Sequence, residues 1–191
     1  MNYCRLHGKA QSCIIDQINE GLGVLKDPAT TRAQKQIALM FVVHFVGDIN
    51  TPLHNAFEVD AKGRGDGGGN GTEVWFLQSP RAKNPMNLHH IWDNMLETDS
   101  ALKKTGAAAY AKRLEADMRR KDVKPWLKAD LTEAAFESFE IAKTLIYPAY
   151  HASDGHHPGK EYQERMQPIA FEQVQKAGAR LAALLEAALP H

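Results

Sequence analysis

Two pairs of residues repeat one arrangement: His44 with Asp48 and His89 with Asp93, each a histidine followed four positions later by an aspartate. On a helix that spacing projects both side chains from one face, one turn apart. A buried carboxylate without a partner costs several kcal/mol, and a divalent cation is one of the few partners that satisfies an imidazole and a carboxylate together. One pair alone reads equally well as a core histidine hydrogen-bonded to an aspartate. A second pair, with a third imidazole at His54 in Thr51-Pro-Leu-His54, makes the arrangement a pattern, because proline limits the backbone at that turn. His54, His89 and Asp93 supply three protein ligands, the number with which a catalytic zinc site commonly leaves a position for water. His44 and Asp48 make half of a neighbouring site, short of ligands unless other residues contribute.

The elements that must hold these residues read as helices. Ile14, Ile15, Ile18, Leu22 and Leu25 recur at helical spacing, and Asp27-Pro28 ends that helix because the residue before proline disfavours helical backbone. Thr30 or Thr31 caps a second, longer helix. Its stretch from Ile37 to Val46 is apolar nearly all round, which predicts a central, buried element closed by Gly47 and Asp48. From Asn55 to Gln78 the chain turns to Gly, Asp and Asn and then to Glu73-Val-Trp-Phe-Leu77, an irregular loop leading into a short strand with room for one small hairpin. Met86 to Leu96 resumes helical spacing, and Ala101 to Arg119 is rich in helix formers. A further helix starts near Thr132 and Glu133 and runs to Tyr147, before Pro148. The last spans Tyr162 to Leu189, with apolar positions at Ile169, Val174, Ala177, Leu181, Leu184 and Leu185. The expected fold is all-α, a multi-helix bundle with one Gly-rich excursion. It forms a single domain over residues 1–191 with no internal repeat or dividing linker.

Composition narrows the partners. The 191 residues carry 23 Lys+Arg, 23 Asp+Glu and nine His, for a formal net charge of zero. That balance argues against a broad basic field for holding nucleic acid, so a polyanionic substrate would need a local positive centre. No run of about eighteen apolar residues is present, so no membrane-spanning helix is expected. Cys4 and Cys13 either close one small disulfide loop, which would place the chain outside the cytosol, or are two ordinary thiols. Met1 to His7 has neither the basic nor the apolar region of a signal peptide. His151, His156 and His157 around Asp154-Gly155 read as surface histidines, and His90 as turned away from His89. The basic run Arg113 to Lys124 reads as a solvated helix face and connection. Trp75, Phe76 and Trp92 are candidates for stacking on bases, with a core position the better reading of Trp92.

His44-Phe-Val-Gly-Asp48, Pro52-Leu-His54, Asp66-Gly-Gly-Gly-Asn70 and Asn87-Leu-His-His-Ile-Trp-Asp93, in this order and spacing, resemble the zinc-dependent single-strand-specific nucleases secreted by fungi and plants, whose fold zinc phospholipase C shares. The similarity extends to Cys13–Ile18 with Leu25–Pro28, to Trp126 through Glu137 to Tyr147-Pro148, and to Ala177–Ala182, and so covers most of the chain. The resemblance implies a phospholipase C/nuclease-like bundle that hydrolyses single-stranded DNA or RNA to 5′-phosphorylated products and also removes 3′-phosphates from nucleotides. It implies three zinc ions: one held by His54, His89 and Asp93, and a close pair to which His44 and Asp48 belong. Asp48 bridges that pair and takes the catalytic role. Asn70 is implied as a hydrogen-bonding partner of the phosphate or its surroundings; its other reading is a turn residue at positive φ. Single-stranded nucleic acid or nucleotides are then the partners, with no membrane and no obligate protein partner, in a secreted or periplasmic setting.

The departures are as specific. The family's zinc pair also takes ligands from an N-terminal Trp, a nearby His, and an Asp and a His further along. None is visible upstream of His44, where His7 is the only histidine and looks unlike a family ligand. The chain thus resembles a family member lacking its N-terminal part, with one metal site complete and a second partial. Asn50-Thr51 stands where relatives carry His-Gln, a change expected to alter the surroundings of the metal more than the metal itself. Two alternatives remain open. One is phospholipase C chemistry, against which Asp93 counts because that enzyme usually has Glu there; the other is a non-catalytic remnant with one structural zinc.

Overall fold

The computed structural model describes residues 13–77, 84–95, 100–128, 130–153 and 157–189. The pairing of Cys4 with Cys13, and the residues His7 and His156, lie outside them.

Helix α1 (Ile14–Lys26) ends at Asp27, before Pro28, as expected. Helix α2 (Arg32–Ile49) starts at a capping box in which Thr31 and Gln34 satisfy each other's backbone N–H groups. The two helices pack closely because Gly21 faces Val42: a Cβ there would lie 2.7 Å from Val42 Cγ2. Ile18, Leu22 and Leu25 meet Ala38, Val42, Val46 and Ile49 in one core cluster, joined by Leu181, Leu184 and Leu185 from the last helix.

Helix α2 corrects one expectation: it is not buried all round. Met40 is 72% and Phe41 52% exposed, and Ile37 and Val43 are exposed with them. Apolar residues on every face do not decide which faces are covered. The stripe 38–42–46–49 is buried, with Phe45 packed at its edge.

A 3₁₀ turn, Pro52–His54, follows α2 and leads into the Gly-rich loop. Strand β1 (Glu73–Val74) pairs antiparallel with β2 (Met86–Asn87), so the partner strand lies beyond the stretch Asn55–Gln78 in which a small hairpin is expected. Helical spacing from Met86 places residues 86 and 87 in a helix, whereas the structure puts them in strand β2. That helix, α3 (Leu88–Asp93), starts later, where the Asn87 side chain accepts from the His90 N–H at 2.7 Å and caps it. The stretch 101–119 is two helices, α4 (Ser100–Thr105) and α5 (Ala107–Met118), broken at Gly106, whose φ is +75°.

A short α6 (Lys124–Lys128) precedes α7 (Leu131–Ile141), capped by Asp130 with Glu133 in a second capping box. The chain does not stop before Pro148. A π-helical turn, Ala142–Ile146, closes on a bond from Tyr147 N–H to the Ala142 carbonyl, and α8 (Tyr147–His151) continues with proline in its first turn. A first-turn proline forgoes no intrahelical bond, so the wide turn absorbs the break. Helix α9 (Lys160–Ala188) closes the fold. It differs from its apolar reading: Val174 is exposed, while Gln173, Gln175, Lys176 and Arg180 are buried.

The fold is all-α apart from the two-stranded ribbon. A second core cluster, including Leu53, Val74, Leu88, Ile91, Trp92, Ile146, Tyr147 and Tyr162, lies under the 3₁₀ turn, the ribbon and α3. No helix among the described residues is long and apolar enough to cross a membrane.

Removing the two buried methyl groups of Val42 as Val42→Ala should cost about 2 kcal/mol, from the lost transfer energy of two carbons plus a residual cavity. Met40→Ser, on the open face, should change stability by less than about 0.5 kcal/mol. Urea denaturation of both variants checks the assignment of the two faces.

Candidate metal centre

The 3₁₀ turn and α3 bring His54, His89 and Asp93 together, and one ligand atom from each lies within 4.8 Å of the others. His54 Nε2 is 3.2 Å from Asp93 Oδ1, and His89 Nε2 is 3.6 Å from Asp93 Oδ2. The two imidazoles stack, with ring centroids 4.7 Å apart. Among the described residues this is the only group of three or more such side chains that could hold a metal ion.

Local chemistry explains the aim of each ring. His89 Nδ1 is 2.8 Å from the Gly68 carbonyl. A carbonyl can only accept, so Nδ1 carries the proton and the Nε2 lone pair is left facing Asp93. A histidine tied back through its second nitrogen is the usual arrangement for a metal ligand. Gly68 can offer that carbonyl because its φ is +68° and because a Cβ there would stand 2.2 Å from the Leu53 carbonyl oxygen. His54 Nδ1 faces Asp48 Oδ1 at 3.6 Å, so this imidazole lies between two carboxylates. The donor set is two imidazole nitrogens and a carboxylate oxygen, which suits zinc.

Asp48 Oδ2 is 3.3 Å from His44 Nε2, as the four-residue spacing requires. His44 is 66% exposed on the open face of α2, and no third ligand joins this pair among the described residues. Asn70 is exposed and donates to the Gly67 carbonyl at 2.9 Å. Its φ is not positive, in contrast with the turn reading; Gly67, Gly68 and Gly69 take the positive φ values instead.

Asp66 supports the loop in a way the sequence did not reveal. Its carboxylate accepts from the N–H groups of Glu58 (3.0 Å), Gly68 (3.1 Å) and Gly69 (3.0 Å), from Thr72 Oγ1 (2.8 Å) and from the Tyr147 hydroxyl (2.9 Å). Burial alone would raise its pKa, but the bonds from Thr72, Gly69, Tyr147 and Glu58 outweigh burial and hold it below the usual carboxylate range. Burial, and then the Asp66 carboxylate, push the Tyr147 hydroxyl far above its ordinary value, so it stays a donor. The sequence signal was Asp66-Gly-Gly-Gly, an acceptor followed by the N–H groups it gathers.

A cavity of about 700 Å³ adjoins the triad, bordered by His54 and His89 on one side and by Leu53, Phe57, Phe136 and Phe139 on the others. Phe57 and Phe136 are more than half exposed. Of the aromatic residues expected to meet bases, Phe76 is buried, and Trp92 is core and donates to the Tyr162 hydroxyl at 3.0 Å. Trp75 packs against His157 at 5.1 Å. His90 is exposed and bonds Asn94, away from the triad. His151 is on the surface and pairs with Glu58 at 2.8 Å.

Residues 2–190 match the S1/P1 nuclease family. The chain belongs to that family. Among its relatives, Endonuclease 4 of Arabidopsis thaliana is 34% identical over 78% of this chain and 49% of the relative. Endonuclease 2 of the same plant is 31% identical over 84% of this chain and 55% of the relative. Nuclease S1 of Aspergillus oryzae is 28% identical over 97% of this chain and 65% of its own length. The chain therefore spans about half to two thirds of the length of the relatives it matches. As a member of the S1/P1 nuclease family it carries the residues of the triad in the motifs that suggested the resemblance.

The pH behaviour of Asp66 follows from its lowered pKa. A carboxylate held low in the folded state adds stability above its unfolded pKa and loses it as pH falls through the folded value. Asp66→Asn should therefore lower the melting temperature at pH 7 and flatten the acid limb below about pH 4. Thermal melts of both proteins in chelator, from pH 7 down to pH 2.5, measure this.

Proposed function

We propose that this chain is a zinc-dependent phosphodiesterase of the single-strand nuclease type, acting on single-stranded DNA or RNA and nucleotides to leave 5′-phosphates, with removal of 3′-phosphates as a further activity. The observation that carries it is the convergence of His54, His89 and Asp93, with the His89 tautomer fixed, in a chain that belongs to a nuclease family. The relatives named above are nucleases, which favours this chemistry over that of phospholipase C.

His54, His89 and Asp93 would hold one zinc ion, and His44 with Asp48 would contribute two ligands to a second site. Zinc supplies Lewis-acid polarisation of a phosphoryl oxygen and a water of lowered pKa. The protein's own part is positional. His89 keeps its proton on Nδ1, toward Gly68, which leaves Nε2 free to bind. Asp48, whose Oδ1 lies 3.6 Å from His54 Nδ1, would lend its carboxylate to the second site, the catalytic role that the resemblance implies for it. Phe57 and Phe136 offer aromatic faces to bases that are already unstacked, which a single strand presents and a duplex does not. Asn70, engaged with the Gly67 carbonyl, serves the substrate through the loop it ties. We further infer a single domain, located outside the cytosol as the family resemblance implies.

One observation favours a second reading, a remnant with one structural zinc: His44 and Asp48 have no third ligand among the described residues. Metal stoichiometry separates the two. The nuclease should bind zinc tightly and cut single-stranded DNA much faster than duplex, whereas a remnant binds one equivalent and cuts neither. His54→Ala and His89→Ala should each release the triad's zinc. At free zinc about 100-fold above Kd, the parent should gain about 2.7 kcal/mol over its zinc-free form, a gain absent from either variant. Elemental analysis, melting curves and a gel assay read these outcomes; unchanged zinc in both variants would rule the triad out.

A further inference from the structure

The polar face of α9 points at the end of α2 that carries the metal-centre residues. Arg180, 6% exposed, reaches three elements at once. Its Nε donates to the Trp126 carbonyl at 3.2 Å, one terminal nitrogen donates to Glu137 Oε2 at 2.8 Å, and the other to Asn50 Oδ1. Asn50 is itself buried and is the last residue of the α2 cap. Its Nδ2 donates back to the Val46 carbonyl at 2.8 Å. Gln173 donates to the Asn50 carbonyl at 3.1 Å and Ser138 Oγ to the Ile49 carbonyl at 2.8 Å. From the opposite, partly open side, Asn55 Nδ2 reaches the carbonyls of Asp48, Ile49 and Thr51 at 3.3, 3.1 and 2.9 Å. The backbone from 46 to 51 is held from two sides, with Asp48 inside the grip and His54 one turn beyond.

We infer that Arg180, acting through Asn50, is a positioning residue for the metal centre: it fixes the last turn of α2 and the 3₁₀ turn, and with them the placement of Asp48 and His54.

Burial of a guanidinium between helices is costly. Apolar residues of similar volume are often as stabilising, so a buried charged face asks for a role beyond cohesion. Arginine suits this one because its planar fork makes several bonds in fixed directions, which a lysine ammonium on a flexible stem cannot reproduce. Residues that orient ligands from outside typically change metal affinity 10- to 100-fold when altered.

The inference rests on the proposed zinc site, and the experiment separates the two. Zinc affinity of the full chain is measured by competition with a chromophoric chelator, together with the visible spectrum of the cobalt-substituted chain and the melting temperature in chelator. Arg180→Lys should weaken zinc binding about tenfold or more and shift the cobalt bands. Lys176→Met serves as the control. Lys176 is also buried on Glu137, but its contacts are Glu137, Glu172 and the Trp126 ring, none of them on α2. This variant should lower the melting temperature while leaving zinc affinity within twofold. Should Arg180→Lys fail to fold, Asn50→Ser tests the same link, because its hydroxyl is too short to meet the guanidinium. Equal zinc affinity in parent, Arg180→Lys and Asn50→Ser overturns the positioning role, as does equal weakening by Lys176→Met. A parent chain that takes up no zinc overturns the metal centre itself, and the positioning role with it.

Discussion

The bond between His89 Nδ1 and the Gly68 carbonyl decides what the site can be. If that nitrogen were free, either tautomer would be open to the ring and its ligand face would be undefined. The bond exists because the chain turns through three successive glycines at positive φ, which places a carbonyl where a side chain at the same position would strike Leu53. Such a turn leaves N–H groups without helix or strand partners, and Asp66 gathers two of them, with Glu58 N–H, Thr72 and Tyr147 besides. A carboxylate so surrounded stays ionised although partly buried, and its charge holds the donors in place. The order of dependence runs from Asp66 to the glycine turn, from the turn to the His89 tautomer, and from the tautomer to the ligand set.

The second imidazole depends on a different support. His54 projects from a three-residue turn, too short to hold itself, and that turn follows directly from the end of α2. Helix ends leave carbonyls unpaired. Here Asn55 takes those nearest the site, while Asn50, Ser138 and Gln173 take those facing the interior. The same cap that completes α2 therefore fixes the approach to His54, which makes helix termination and site geometry one problem. Asn50 lies on the interior side of this cap, in contact with Arg180 and away from the triad.

What the sequence made legible was local. A histidine and an aspartate four apart meet on any helix, so both pairs form as the spacing requires, and the Thr31 cap and the Asp27-Pro28 stop depend on only a few neighbouring residues. What it hid was decided by distant partners. The run from Ile37 to Val46 cannot say which of its faces has a neighbour, so α2 read as buried although Met40 and Phe41 are open. In α9 the apolar spacing does not show that Lys176 and Arg180 are buried, because Glu137, sited on the distant α7, is what meets them. Pro148 read as a stop because the π turn before it leaves no mark at the level of single residues. Phe57 and Phe136, 79 positions apart, could not be seen as neighbours of one cavity.

The neutral composition takes on a sharper meaning at this site. Asp48 and Asp93 flank His54, so the centre without a cation is locally negative even though the chain is balanced. A phosphodiester approaching it would be repelled, and among the described residues no lysine or arginine borders the adjoining cavity to offset this. On the proposed function, attraction of a polyanion would come from the ion that His54, His89 and Asp93 would hold, whose charge outweighs that of each carboxylate. Proteins that hold nucleic acid by surface cations bind it whether or not they are competent to act. On the proposed function, affinity for phosphate and competence to hydrolyse it would depend on the same three side chains, so an incompletely loaded site would also fail to recruit its substrate.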